Sequence, residues 1–76
     1  MIYIIEAFDK QNGFLAFEEA LPSGLDQEVK MIMGWEEEQQ GWEGYDLSPN
    51  QIEALEKLLG KKIYDPDFKL QLSCNV

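Results

Sequence analysis

Residues 2–22 read IYIIEAFDKQNGFLAFEEALP, two apolar runs on either side of a turn-forming cluster. In the first run Ile2, Ile4, Glu6 and Phe8 alternate with Tyr3, Ile5, Ala7 and Asp9. β-Branched and aromatic residues lead both sets, which predicts a strand buried on both sides at its start. Residues 9–13 hold Asp9 and the pair Asn12-Gly13, which tolerates the positive φ that tight hairpin connections require. A second strand is expected over residues 14–20, with Leu15, Phe17, Glu19 and Leu21 on one side and Phe14, Ala16, Glu18 and Ala20 on the other. Residues 2–20 thus read as a β-hairpin. Pro22 ends it, because proline has no N–H to donate and restricts the residue before it.

Beyond the hairpin, Ser23 and Asp26 have the spacing of a capping box, and Leu25, Val29, Ile32 and Met33 form one apolar stripe on a short helix stopped by Gly34. The methionines read as gap-filling core side chains. A second helix is announced by Ser48-Pro49-Asn50-Gln51, with serine at the cap, proline at the first helical position and glutamine closing the capping box. Ile52, Leu55, Leu58 and Leu59 form its apolar stripe, and Gly60 supplies the left-handed residue at its end. Glu53 lies in its first turns and Lys57, Lys61 and Lys62 near its negative pole, which suits the helix dipole. After Asp65-Pro66-Asp67, the residues Phe68, Leu70, Leu72 and Cys74 alternate with Lys69, Gln71 and Ser73, a half-buried strand. The predicted class is α+β: an antiparallel sheet of three to four strands, opened by the hairpin, with two helices on one face.

The 76 residues make a single domain, 1–76, with no internal repeat or linker. A chain this short buries only about 60% of the surface it exposes when unfolded. Cys74 is the only cysteine, so no intramolecular disulfide supplements the core, and its place on the apolar side of a strand marks it as a packing residue. The opening residues lack a basic region and a cleavage site of the secretory kind, and no apolar run approaches the ~20 residues of a membrane span. A cytoplasmic location is expected.

Net charge is -9, from 15 acids against six lysines, with no histidine and no arginine. That balance disfavours nucleic acid and anionic membranes as partners. Missing histidine removes the commonest general base, the triad logic of nucleophilic catalysis and most transition-metal sites. Nucleotide-binding glycine motifs and paired CxxC motifs are also missing, and residues 9–13 lack the ligand spacing of an EF-hand loop. No enzyme, cofactor or metal is expected.

The candidate functional stretch is residues 35–46, WEEEQQGWEGYD. Glu36, Glu37, Glu38, Glu43 and Asp46 mix there with Trp35, Trp42 and Tyr45. Gly41 and Gly44 break any long helix, leaving a loop or brief strand before Leu47. Crowded carboxylates repel one another, whereas Trp and Tyr are frequent binding anchors, so the mixture points to a surface for a basic partner. The bland reading has the tryptophans filling the core and the glutamates solvating a loop.

A further feature is the opening Ile5-Glu6-Ala7-Phe8-Asp9-Lys10 followed by Phe17-Glu18-Glu19. It resembles the opening strand, Phe-Asp-Lys turn and Glu-Glu strand of the cloacin-type ribonuclease immunity proteins; similar small immunity proteins accompany contact-dependent growth inhibition toxins. The overlap covers about fifteen residues. It does not extend past Pro22, and the helix capped by Ser48-Pro49 departs from that group, so no family binding residue carries over onto residues 35–46. The resemblance implies a cytoplasmic inhibitor that binds the basic nuclease domain of a cognate toxin; when free, the chain is expected to be a monomer or small homo-oligomer. The rival expectations are a DNA-mimic inhibitor of a DNA-binding protein and a small structural oligomer subunit.

Overall fold

The structure, a computed structural model, describes residues 2–35 and 44–75. The elements follow one another as β1 (Ile2–Asp9), β2 (Leu15–Ala20), α1 (Asp26–Met33), β3 (Gly44–Asp46), α2 (Pro49–Leu59) and β4 (Phe68–Asn75). The strands form one sheet in the order β2-β1-β4-β3, with every neighbouring pair antiparallel. The α+β class and the hairpin opening hold, and the segment before Leu47 contributes a short fourth strand. β1 and β4 pair along their whole lengths, from Ile2 opposite Asn75 to Asp9 opposite Phe68. They are the centre of the sheet.

Residues directly opposite in neighbouring strands share a face, so the register sorts the side chains. Tyr3, Ile5 and Ala7 of β1 lie with Leu70, Leu72 and Cys74 of β4, and all six are buried. Val29 of α1, Ile52 and Leu55 of α2, and the loop residues Leu21 and Ile63 join the same core. Both helices thus cover this one face. Among the described residues no layer covers the other face, and the expectation of a first strand buried on both sides fails there: Ile2 is exposed and Ile4 only half-buried.

The hairpin turn is wider than a two-residue connection. Asp9 N–H donates to the Phe14 carbonyl at 2.9 Å, and Gly13, at φ 76°, donates to the Asp9 carbonyl at 2.8 Å. The Asp9 and Asn12 carboxyl and amide oxygens accept from Gln11 N–H and Phe14 N–H at 2.7 and 2.8 Å, the local side-chain bonding that makes these residues turn formers. Between Ala7 and Phe8 the register shifts by one, leaving Ala16 as the extra residue of a β-bulge. The bulge turns Leu15 to the bare face while Phe17 and Glu19 remain on the helix side, which corrects the single alternation expected over residues 14–20.

At α2 the local signals are all realised. Ser48 Oγ accepts from Gln51 N–H, Gln51 Oε1 accepts from Ser48 N–H at 2.9 Å, Pro49 opens the helix and Gly60 closes it at φ 74°. The first turn of α2 holds no acid, and Glu53 instead lies 3.9 Å from Lys57 on the exposed flank. At α1 the Ser23 cap is not formed. Gly24 takes φ 85°, which carries the chain out of line before the helix, and Leu25 is the cap residue with no side-chain hydrogen bond. Leu25 packs against the core instead. Gly34, at φ 72°, stops α1 as expected.

Candidate functional site

Of the eight residues singled out in the stretch 35–46, Glu36, Glu37, Glu38, Trp42 and Glu43 lie outside the described residues. The other three fall on different sides of the sheet. Tyr45 pairs with buried Leu72 and faces the helices. Its ring lies 4.9 Å from that of Trp35, which in turn lies 6.5 Å from that of Tyr3. Trp35 and Tyr45 are half-buried and packed against the core. The two ends of the acidic stretch are therefore joined by an aromatic contact worth roughly 0.5–1.5 kcal/mol beyond the area it buries.

Asp46 points the other way. It lies opposite Gln71 on the helix-free face, accepting from Gln71 Nε2 at 2.8 Å and sitting 3.4 Å from Lys69 Nζ. Gln71 lies opposite Glu6, and Glu6 opposite Glu18. Glu18, Glu6, Gln71 and Asp46 consequently make one row across all four strands. Ile4, Phe8 and Leu15 flank that row, and Lys69 sits beside Phe8. The bare face is thus a mixed surface of carboxylates and apolar side chains.

Within the row, Glu6 and Glu18 conflict. The bond from Leu21 N–H to the Tyr3 carbonyl, 2.9 Å, marks residues 3 and 21 as a hydrogen-bonded pair. Counting in twos along the register makes Glu6 and Glu18 a non-hydrogen-bonded pair, the kind that brings side chains closest. Like charges directly opposite are destabilising. Among the described residues neither carboxylate has an ion pair or hydrogen bond. Glu19, one residue on, faces the helices and is matched by Lys61 at 2.8 Å. The neutralised glutamate and the bare one differ only in which face the pleat assigns them.

A second feature lies beside α2. Ile52, Glu56, Lys57, Lys61, Lys62 and Tyr64 line an open cleft of about 760 Å³. Glu56 Oε2 accepts from Tyr64 N–H at 2.9 Å and from Ile63 N–H at 2.7 Å. The Tyr64 donor first and the Ile63 donor second outweigh the opposing effect of burial, and Lys62 adds the smallest contribution, so that the carboxyl is held below the ordinary value of 4.5. The carboxylate clamps the return from α2 towards β4 and seats Ile63 in the core. This role was not legible in the sequence, where Glu56 is one acid among fifteen.

Among the described residues no acidic or basic side chain is buried, and no three cysteine, aspartate or glutamate side chains converge where a metal ion could sit. No helix of the described residues is long and apolar enough to cross a membrane. The sequence of residues 2–73 matches a family model described as a domain of unknown function, DUF7683. The chain belongs to that family. No curated protein and no solved structure matches it. In this DUF7683 domain the chemistry on offer is that of a surface: carboxylates and apolar side chains on a sheet that its own helices leave open.

Proposed function

We propose that this DUF7683 domain is an inhibitor of the immunity type, which docks on a basic toxin domain that attacks nucleic acid and neutralises it in the cytoplasm. The observation that carries the reading is the Glu6–Glu18 pair. Two carboxylates forced against each other on a sheet weaken the free protein, and a lysine or arginine delivered by a partner relieves that conflict on docking. Asp46 extends the same row. Ile4, Phe8 and Leu15 supply apolar contact beside the charges. A nuclease presents cationic groups to phosphates, so a carboxylate surface is complementary to the groove it must block.

The test begins with the reading frame directly upstream, expressed as its C-terminal domain alone. A basic domain that stops growth, and that is neutralised when this chain is produced with it, is the expected result. Isothermal titration should then give a saturable complex weakened by the double substitution Glu6→Gln and Glu18→Gln. A harmless neighbour, or a toxin that binds the doubly substituted protein as tightly, would falsify the assignment.

A further inference from the structure

Among the described residues the outer edge of β2 is open. β2 pairs with β1 on one side and with no described strand on the other, and every residue of it except Glu19 is exposed. Phe14, at 74% exposure, and Leu15 and Phe17 bring large apolar side chains to this rim. Phe17 also meets Phe68 edge-on, with ring centroids 5.5 Å apart, so the rim rests on the central strand β4 rather than on a loose hairpin. The hydrogen-bonded pairs with β1 are those of residues 21, 19 and 17, which directs the backbone N–H and C=O groups of Glu18 and Ala20 away from the sheet. Such an edge is a template for another strand unless something blunts it.

We propose that residues 17–20 of β2 accept an extended segment of a basic partner as a fifth strand. The proposal rests on the basic-partner reading above and names its mode of docking. Charge selects the occupant. A residue placed opposite Glu18 on an added strand lies on the bare face, in line with Glu18, Glu6 and Asp46, and within about 4.5–5.5 Å of the Glu18 side chain at Cβ. A lysine or arginine there neutralises the opposed carboxylates, whereas a second copy of this chain, with net charge -9, brings further negative charge. A position opposite Phe17 lies on the other face and covers part of that exposed ring. The bulge at Ala16 confines the regular edge to the stretch that carries Glu18, which makes recognition short and dependent on that one charge.

The probe is a capped peptide of alternating valine and lysine, with a valine and glutamate peptide as control, titrated into the isotopically labelled full chain and followed by amide NMR. Saturable shifts at the Glu18 and Ala20 amides, slowed exchange of both, and binding several-fold weaker for the acidic peptide are expected. Ala20→Pro removes an outward N–H without touching the ladder to β1 and should abolish binding with the dispersed spectrum retained. Should that variant unfold, Glu18→Gln, which keeps every backbone group, should still weaken binding several-fold. Shifts confined to residues 36–46 overturn the edge proposal while leaving the basic-partner reading standing. Equal binding of the acidic peptide overturns both. With neither peptide saturating, the edge proposal is overturned, and the basic-partner reading is decided by the toxin titration alone.

Discussion

Glu18 sits opposite Glu6 without a cation, while Glu19 next to it is matched by Lys61. Replacing Glu18 with glutamine should therefore stabilise the free protein by about 0.2–1 kcal/mol, read as a higher urea midpoint at unchanged slope, while weakening the complex with a basic partner. Gain in one measurement and loss in the other is the signature of a residue retained for binding. Trp35 and Tyr45 give the reverse case. Read along the chain they belong with the acids as anchors, yet their rings pack on each other and on Tyr3 against the core. Trp35→Ala should accordingly lower stability by roughly 2 kcal/mol or more. Trp42→Ala, by contrast, should cost the complex about 2 kcal/mol or more and leave the unfolding transition of the free protein in place. An equal loss of stability in both variants would make Trp42 a core residue too.

Glu56 acts through a single carboxylate on two backbone donors, and its lowered folded-state value sets a pH signature. The stabilisation it provides is complete above 4.5, its ordinary value, and fades as pH falls from there through the folded-state value. Glu56→Gln removes the titrating charge, so the stability difference between wild type and variant should be widest near neutral pH and should shrink below that point. A difference constant down to pH 3 would rule out the carboxylate clamp. Nothing in the spacing of Glu56 announced this role, because the donors it serves lie seven and eight residues on, beyond the end of the helix.

At the scale of elements, α2 was readable in full because each of its signals is local. The capping box, the proline and the closing glycine act within a few residues, and Ser48→Ala should remove about 1 kcal/mol, visible as a lower urea midpoint. α1 shows the limit of the same method. Ser23 had the right residue type and spacing, but the left-handed turn at Gly24 and the pull of Leu25 into the core decided the entry angle. The hairpin was legible as a hairpin and its register was not. A two-residue Asn12-Gly13 turn would set Gln11 opposite Phe14 and Glu6 opposite Glu19. The wider turn and the bulge at Ala16 set Glu6 opposite Glu18 instead, so the central feature of the bare face depends on one extra residue.

The molecule as a whole carries 15 acids against six lysines, so most of its negative charge has no lysine to offset it. Added salt should raise the stability of the free protein by screening that repulsion, and should slow association with a basic partner by screening the attraction. Stopped-flow association and urea unfolding, run over the same salt series, should move in opposite directions.

By itself the sequence determined the α+β class, the two helices with their stops, the alternating strands and the excess of carboxylates. All of these are set by residue type and by periodicities of two or 3.6 that operate over a few positions. Only the tertiary structure decided that β4 inserts between β1 and β3, and that Glu18, Glu6 and Asp46 meet in one row on the face opposite the helices. Those outcomes are pairings between residues far apart in the chain, and a shift of one residue in register exchanges the two faces of a strand.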